Sequence, residues 1–202
     1  HLARLGHDVA FVTAVGSDAA SQALRIAWAG EGIDTSHVMP HPDRTVGRYS
    51  IAVDPEGERT FTYDRKRSAA RDMFALPGID HALKAAETAD LLVYSLITLA
   101  ILPPAARERL FRLNVRLAFD GNYRPRLWAS AQEAAAARDI AIGQAAIGLP
   151  TLEDEASILG KDTTPDAIAS HWESLGCGEV VVKLGASGAR LPGGPISDPQ
   201  SI

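Results

Sequence analysis

A single cysteine, Cys177, occurs in 202 residues. One thiol closes no internal disulfide and builds no cysteine-rich zinc site, which excludes a disulfide-stapled scaffold and fits a reducing compartment, the cytoplasm. Positive charge is also scarce: 20 Lys and Arg against 25 Asp and Glu leave a net charge of -5. The basic footprint of a nucleic-acid or anionic-membrane binder is therefore absent, and the expected partner is a small molecule or a protein. There is no apolar run of membrane-spanning length, no signal peptide, no low-complexity tract and no internal repeat. The six histidines fall in no HExxH or other metal spacing, and no Gly-x-Ser-x-Gly elbow is present. What remains is the composition of an ordinary globular protein, 46% hydrophobic and 22% charged with a mean hydropathy of -0.02, enough for one domain and a small appendage.

The ends are unusual for a domain. The chain starts at His1, and Leu2-Ala3-Arg4-Leu5-Gly6 reads as the last turn of a helix stopped by glycine. Gly193 to Ile202 is turn-rich and completes no element. The expectation is an internal part of a longer protein.

Between these ends, short apolar runs alternate with helical patterns. Val9 to Val15 is β-branched and apolar and is followed by Gly16-Ser17-Asp18, a strand running into a helix N-cap. Further strands are expected at Leu91 to Leu96, Val115 to Phe119, Ala145 to Leu149 and Val180 to Val182. Helices are expected near Asp80 to Ala89, Pro103 to Leu113, Ser130 to Ile142, Leu152 to Leu159 and Pro165 to Leu175. Repeated βα units with near-continuous apolar strands predict an α/β fold, a mainly parallel sheet with helices on both faces. One segment departs from this rhythm: Thr45 to Asp54 and Arg59 to Arg65 alternate polar and apolar residues on either side of Pro55-Glu56-Gly57-Glu58. That is a β-hairpin with one wet or ligand-facing side, and it reads as a lid.

The most informative local feature is Asp120-Gly121-Asn122-Tyr123-Arg124-Pro125-Arg126-Leu127-Trp128, directly after a strand. Ligands of open α/β sheets bind outside the carboxyl ends of strands, and Arg124 offers a planar fork for phosphate or carboxylate oxygens. The plainer reading is an Asx turn with Trp128 as a packed anchor. Lys183-Leu184-Gly185-Ala186-Ser187-Gly188 comes after the last apolar strand, and its glycines let backbone N–H groups approach an anion or a base; a simple hairpin turn is the alternative. Tyr49, Tyr63 and Arg65 alternate on the hairpin, and two hydroxyls with a guanidinium suit an acidic, polyhydroxylated ligand. Cross-strand aromatic pairing with a solvated arginine would look the same. Glu153-Asp154-Glu155 complements a helix dipole at its start, with a magnesium role open to one carboxylate.

In their order along the chain these segments resemble the ribokinase-like family of sugar kinases. LARLG with VAFVTAVGSD is similar to the family's first signature region, EGIDTSHV and RTVGRYSIAVDPEGERTFTYDR to its lid and substrate segment, and VVVKLGASGA to its nucleotide loop. The run DGNYRPRLW resembles the ketodeoxygluconate branch more than ribokinases generally.

The resemblance implies a three-layer sandwich, with residues 1–202 as one incomplete kinase domain and the lid ribbon near 45–65 inserted in it. It implies transfer of the γ-phosphoryl of ATP to a primary hydroxyl of 2-keto-3-deoxygluconate. Tyr49, Tyr63 and Arg65 would contact the sugar acid. Arg124 would lie between sugar and transferring phosphate, Asn122 near the phosphates, and Lys183, Gly185 and Gly188 along the nucleotide. Glu155 would be the glutamate of an Asn-x-x-Glu motif for Mg2+, although Leu152 stands where that asparagine belongs. The family's Gly-Ala-Gly-Asp base motif does not occur before Ile202, and Asp198 has no glycine loop around it. A chain ending there would be inactive, and the base is expected beyond it. Fructokinase-like or 5-dehydro-2-deoxygluconokinase-like activity, or a non-catalytic sugar-acid or nucleotide sensor, are the competing expectations. The lid is expected to join copies into a homo-oligomer.

Overall fold

The structure is a computed structural model that describes residues 1–54 and 57–197. The chain divides into two compact units, His1–Ala85 and Ala86–Ile202.

In the first unit, β1 (Val9–Ala10) pairs in parallel with β3 (Ile33–Asp34), and β2 (Thr13–Val15) with β4 (Val38–Pro40). The single strand expected over 9–15 is thus two short ones, and its partner breaks at the same level. There Asp34 forms an Asx turn, accepting from the Ser36 backbone N–H at 2.8 Å, while the Val38 N–H reaches the Thr35 carbonyl. The chain passes from β2 to β3 through α1 (Ala19–Gly30), capped by Asp18, whose carboxylate accepts from the backbone N–H groups of Ala20 and Ser21. β5 (Arg48–Val53) and β6 (Arg59–Asp64) form the expected antiparallel hairpin, in register from Arg48 opposite Asp64 to Val53 opposite Arg59. Pro55 and Glu56 of its turn lie outside the described residues. A 3-10 segment (Ala69–Ala75) comes next, and α2 (Ile79–Glu87) runs through the junction of the units.

The second unit holds a four-stranded parallel sheet in the order β10-β9-β8-β7: Glu179–Val180, Ala145–Leu149, Leu117–Asp120 and Leu92–Ser95. Parallel neighbours need crossover connections, supplied by α3 (Leu96–Ile101) and α4 (Pro104–Phe111), then α5 (Ala131–Gln144), then α6 (Leu152–Leu159) and α7 (Pro165–Ser174). Leu96, expected as the end of a strand, instead opens α3. Ser95 accepts from the Thr98 backbone N–H and Thr98 reciprocates, a capping box that stops the strand. β11 (Val182–Lys183) pairs antiparallel with β12 (Ala189–Arg190), so the glycine-bearing segment 184–188 is a hairpin turn.

The core of this unit is aromatic at its centre. Phe119 stacks on Trp172 at 5.8 Å and meets Tyr94 edge-on at 5.7 Å. Phe119 and Trp172 are fully buried, together with Ile142, Ile168, Val180 and Val182. Burial pushes the Tyr94 hydroxyl well above its ordinary pKa and the Cys177 thiol up to about 11.

Candidate active site

In the first unit the hairpin brings Tyr49 and Arg65 together, with the Arg65 guanidinium 5.2 Å from the centre of the Tyr49 ring. Tyr63 lies directly opposite Tyr49 in the strand register, which puts both on one face of the ribbon; its side chain is outside the described residues. A Cβ on Gly47 would stand 3.2 Å from the Ser68 Cβ and 3.4 Å from the Arg65 Cγ. The base of the ribbon is tied to α1 by Arg48, whose Nη2 lies 3.2 Å from Asp18 Oδ1. Asp18 is held ionised chiefly by the Ser21 hydroxyl, 2.6 Å from its other oxygen, which lowers its pKa.

In the second unit, the remaining candidates gather where strands β8, β9 and β11 end. Asp120 is the last residue of β8. The ladder continues for one more step, with the Gly121 N–H at 3.4 Å from the Leu149 carbonyl, and Asn122 then adopts a positive φ of 21°. Asparagine tolerates a positive φ better than most residues. Arg124 is half-exposed and donates from Nη1 to the Tyr123 carbonyl at 2.6 Å and to Asp154 at 3.0 Å. Lys183, at the end of β11, places Nζ 2.5 Å from Asp120 Oδ1. Gly185 has a φ of 60° and open space where a Cβ would be, whereas a Cβ on Gly188 would strike the Ser197 carbonyl. Gly185 can therefore admit a ligand to the backbone, and Gly188 allows the close approach of the Ser197 backbone. Asp198 is outside the described residues.

Arg48 has no place among the candidates read from the sequence, where Asp120 appears only as the start of a motif and Asp154 only as one of three carboxylates of which one could serve magnesium. Asp120 shares the post-strand position that singled out Asn122. Asp154 gives no such signal, because a carboxylate in a first helical turn is ordinarily explained by the dipole.

Glu155 is placed differently from its neighbours. It is 1% exposed, and its Oε2 accepts from Arg138 Nη2 at 2.7 Å and from Trp172 Nε1 at 3.0 Å. A buried carboxylate committed to a buried guanidinium and an indole does not fit a metal ligand. No group of three or more His, Cys, Asp or Glu among the described residues could hold a metal ion. A cleft of about 300 Å3 in this unit is lined by Leu96, Tyr123, Gln132, Arg138 and Ser157. Of the candidate loop it includes only Tyr123.

Residues 1–194 match the pfkB family of carbohydrate kinases. The chain is 41% identical over 187 residues to the 2-dehydro-3-deoxygluconokinase of Escherichia coli, covering 88% of this chain and 60% of that protein. It is 35% identical over 188 residues to the 2-dehydro-3-deoxygluconokinase of Haemophilus influenzae, covering 90% and 60%. It thus spans about 60% of the length of these curated relatives. Among solved structures it is similar to a PfkB protein from Polaromonas sp. JS666, with a TM-score of 0.79 and 34% identity over 93% of this chain and 64% of that one.

Proposed function

The chain belongs to the pfkB family of carbohydrate kinases, and from that premise we propose that the intact gene product transfers the γ-phosphoryl group of ATP to the primary hydroxyl of 2-keto-3-deoxygluconate. The observation that carries the substrate is the 41% identity to a 2-dehydro-3-deoxygluconokinase. The fold is the α/β ribokinase-like one, and the candidate residues fit the chemistry. Phosphoryl transfer asks a protein mainly to position its reactants and to stabilise charge on the transferring oxygens. Arg65 answers the substrate carboxylate with a fork already stacked on Tyr49, and the hydroxyls of Tyr49 and Tyr63 bond the polyol. Arg124 turns from Asp154 to the transferring phosphate, the Asn122 amide bonds phosphate oxygens, and the open backbone at Gly185 lies along the nucleotide.

The same reading makes the protein a homo-oligomer joined through the hairpin, on the support of that ribbon's exposed apolar residues. It also places the protein in the cytoplasm, in keeping with its lone buried thiol. No helix among the described residues is long and apolar enough to cross a membrane.

The test is a phosphorylation assay on the intact gene product with ATP and a panel of acceptors. Turnover of 2-keto-3-deoxygluconate well above that of ribose and fructose is expected. Vigorous turnover of ribose or fructose with none of the keto acid would sink the substrate assignment.

A further inference from the structure

We infer that Lys183 and Asp120 form a strut across the carboxyl end of the second unit's sheet, a positioning pair that fixes the two loops leaving it, and that Lys183 is not itself a phosphate ligand. What those loops do rests on the kinase reading; the strut rests on geometry. β9 lies between the two residues. On one side it pairs with β8, which ends at Asp120. On the other it pairs with β10, and the same run of chain continues past it, the Lys183 N–H reaching the Pro150 carbonyl at 2.8 Å and Lys183 bridging Thr151 in parallel. Neighbouring strands stand about 4.8 Å apart, so strands flanking a third are separated by about 10 Å. Only a long side chain closes that gap, and Lys183 does so, its Nζ ending 2.5 Å from Asp120 Oδ1.

The consequences fall on the loop after each strand. Two residues beyond Asp120 the chain passes through the positive φ of Asn122 on its way to Arg124. One step beyond Lys183 it enters the turn 184–188, closed by the Leu184 N–H on the Gly188 carbonyl at 2.9 Å. A flexible ammonium held in place at one end ties both loops to the same sheet edge. Its charge is opposed at contact distance by Asp120, so an arriving phosphate meets a neutral pair there. Arg124, planar and half-exposed, held by the Tyr123 carbonyl at 2.6 Å and by Asp154 at 3.0 Å, is a cation of the neighbouring loop that can turn to meet it.

The test uses the intact gene product with Asp120→Asn, Lys183→Met, the two combined, and Lys183→Arg. Each single change is expected to lower kcat/KM about tenfold, equivalent to about 1.4 kcal/mol, mainly through kcat, with the KM for ATP little moved. The double variant is expected to lose about the same tenfold, because one strut can be removed only once. Amide exchange in 121–124 and 184–188 is expected to quicken equally in all three. Lys183→Arg, which keeps a cation within reach of Asp120, should restore both rate and protection. A Lys183→Met protein with a sharply raised KM for ATP beside an Asp120→Asn protein like the wild type would overturn the strut. So would losses that multiply to about a hundredfold, or a Lys183→Arg protein as impaired as Lys183→Met. Should the unaltered protein phosphorylate no sugar, the kinase reading falls, and exchange still decides the strut: unchanged protection in both loops defeats it.

Discussion

At Glu155 a carboxylate with 1% exposure faces a guanidinium, Arg138, with 3%. Two charges withdrawn from water are tolerable only while paired, and removing one partner of such a pair costs about 3–5 kcal/mol. Glu155→Gln is therefore expected to lower the unfolding free energy of the intact protein by about that amount in chemical denaturation. If Glu155 instead served a metal, the same change would weaken metal dependence and leave stability in place. Its neighbour in sequence, Asp154, is one residue round the helix and meets Arg124, which shows how little residue spacing says without the helix phase. Arg65 is the residue where substrate choice is open to measurement. A charge-assisted bond to a carboxylate is worth about 1.5–3 kcal/mol, so Arg65→Ala should reduce kcat/KM for the keto acid about 10- to 100-fold. A neutral sugar offers no carboxylate, and its turnover should change only about two- to threefold, by the lost packing on Tyr49. Equal losses on both substrates would remove Arg65 from acid recognition.

Among the strands, β9 shows why one residue type is compulsory. A Cβ on Gly148 would lie 2.6 Å from Trp172 Cε3 and 2.8 Å from Cys177 Sγ, too close for either fully packed neighbour to yield. Gly148→Ala should destabilise the protein by about 1–3 kcal/mol through overpacking, seen as a lower thermal midpoint; an unchanged midpoint would mean that α7 is free to shift. Much of the second unit was legible because its two central strands are largely covered and read as apolar runs, Leu117–Asp120 and Ala145–Leu149. Ser130 and Pro165 marked helix starts by their capping chemistry. What escaped was of two kinds. The apolar stretch Leu96–Ile101 suits a strand or a helix equally, and only the Ser95 and Thr98 capping box decides it. Pairings between distant residues have no local signal: Lys183 with Asp120, 63 positions away, and Arg138 with Glu155, 17 away. The resemblance puts the same lysine along a nucleotide, and nothing local in the sequence signals the carboxylate it meets.

The proposed assembly of the intact protein would use the exposed apolar face of the hairpin. Tyr49, Ile51 and Val53 alternate along β5, share one face, and are 56%, 46% and 60% exposed. A two-stranded ribbon is marginally stable alone in water, and an apolar face of this kind gains about 25 cal/mol for each Å2 it removes from solvent. A second copy of the same ribbon supplies a matching face, and a two-fold axis makes each contact count twice. The net charge of -5 on each chain opposes that association only weakly at physiological salt, where surface charges are screened beyond about 8 Å. The expected outcome is a dimer of the intact protein in sedimentation velocity, converted to monomer by Ile51→Asp or Val53→Asp with the circular dichroism spectrum unchanged. Both variants place a charge where two apolar faces meet, and neither alters the parallel sheet of the second unit, so a loss of helical signal would point to misfolding instead of dissociation. A wild-type protein that sediments as a monomer at all accessible concentrations would leave the ribbon face for substrate alone.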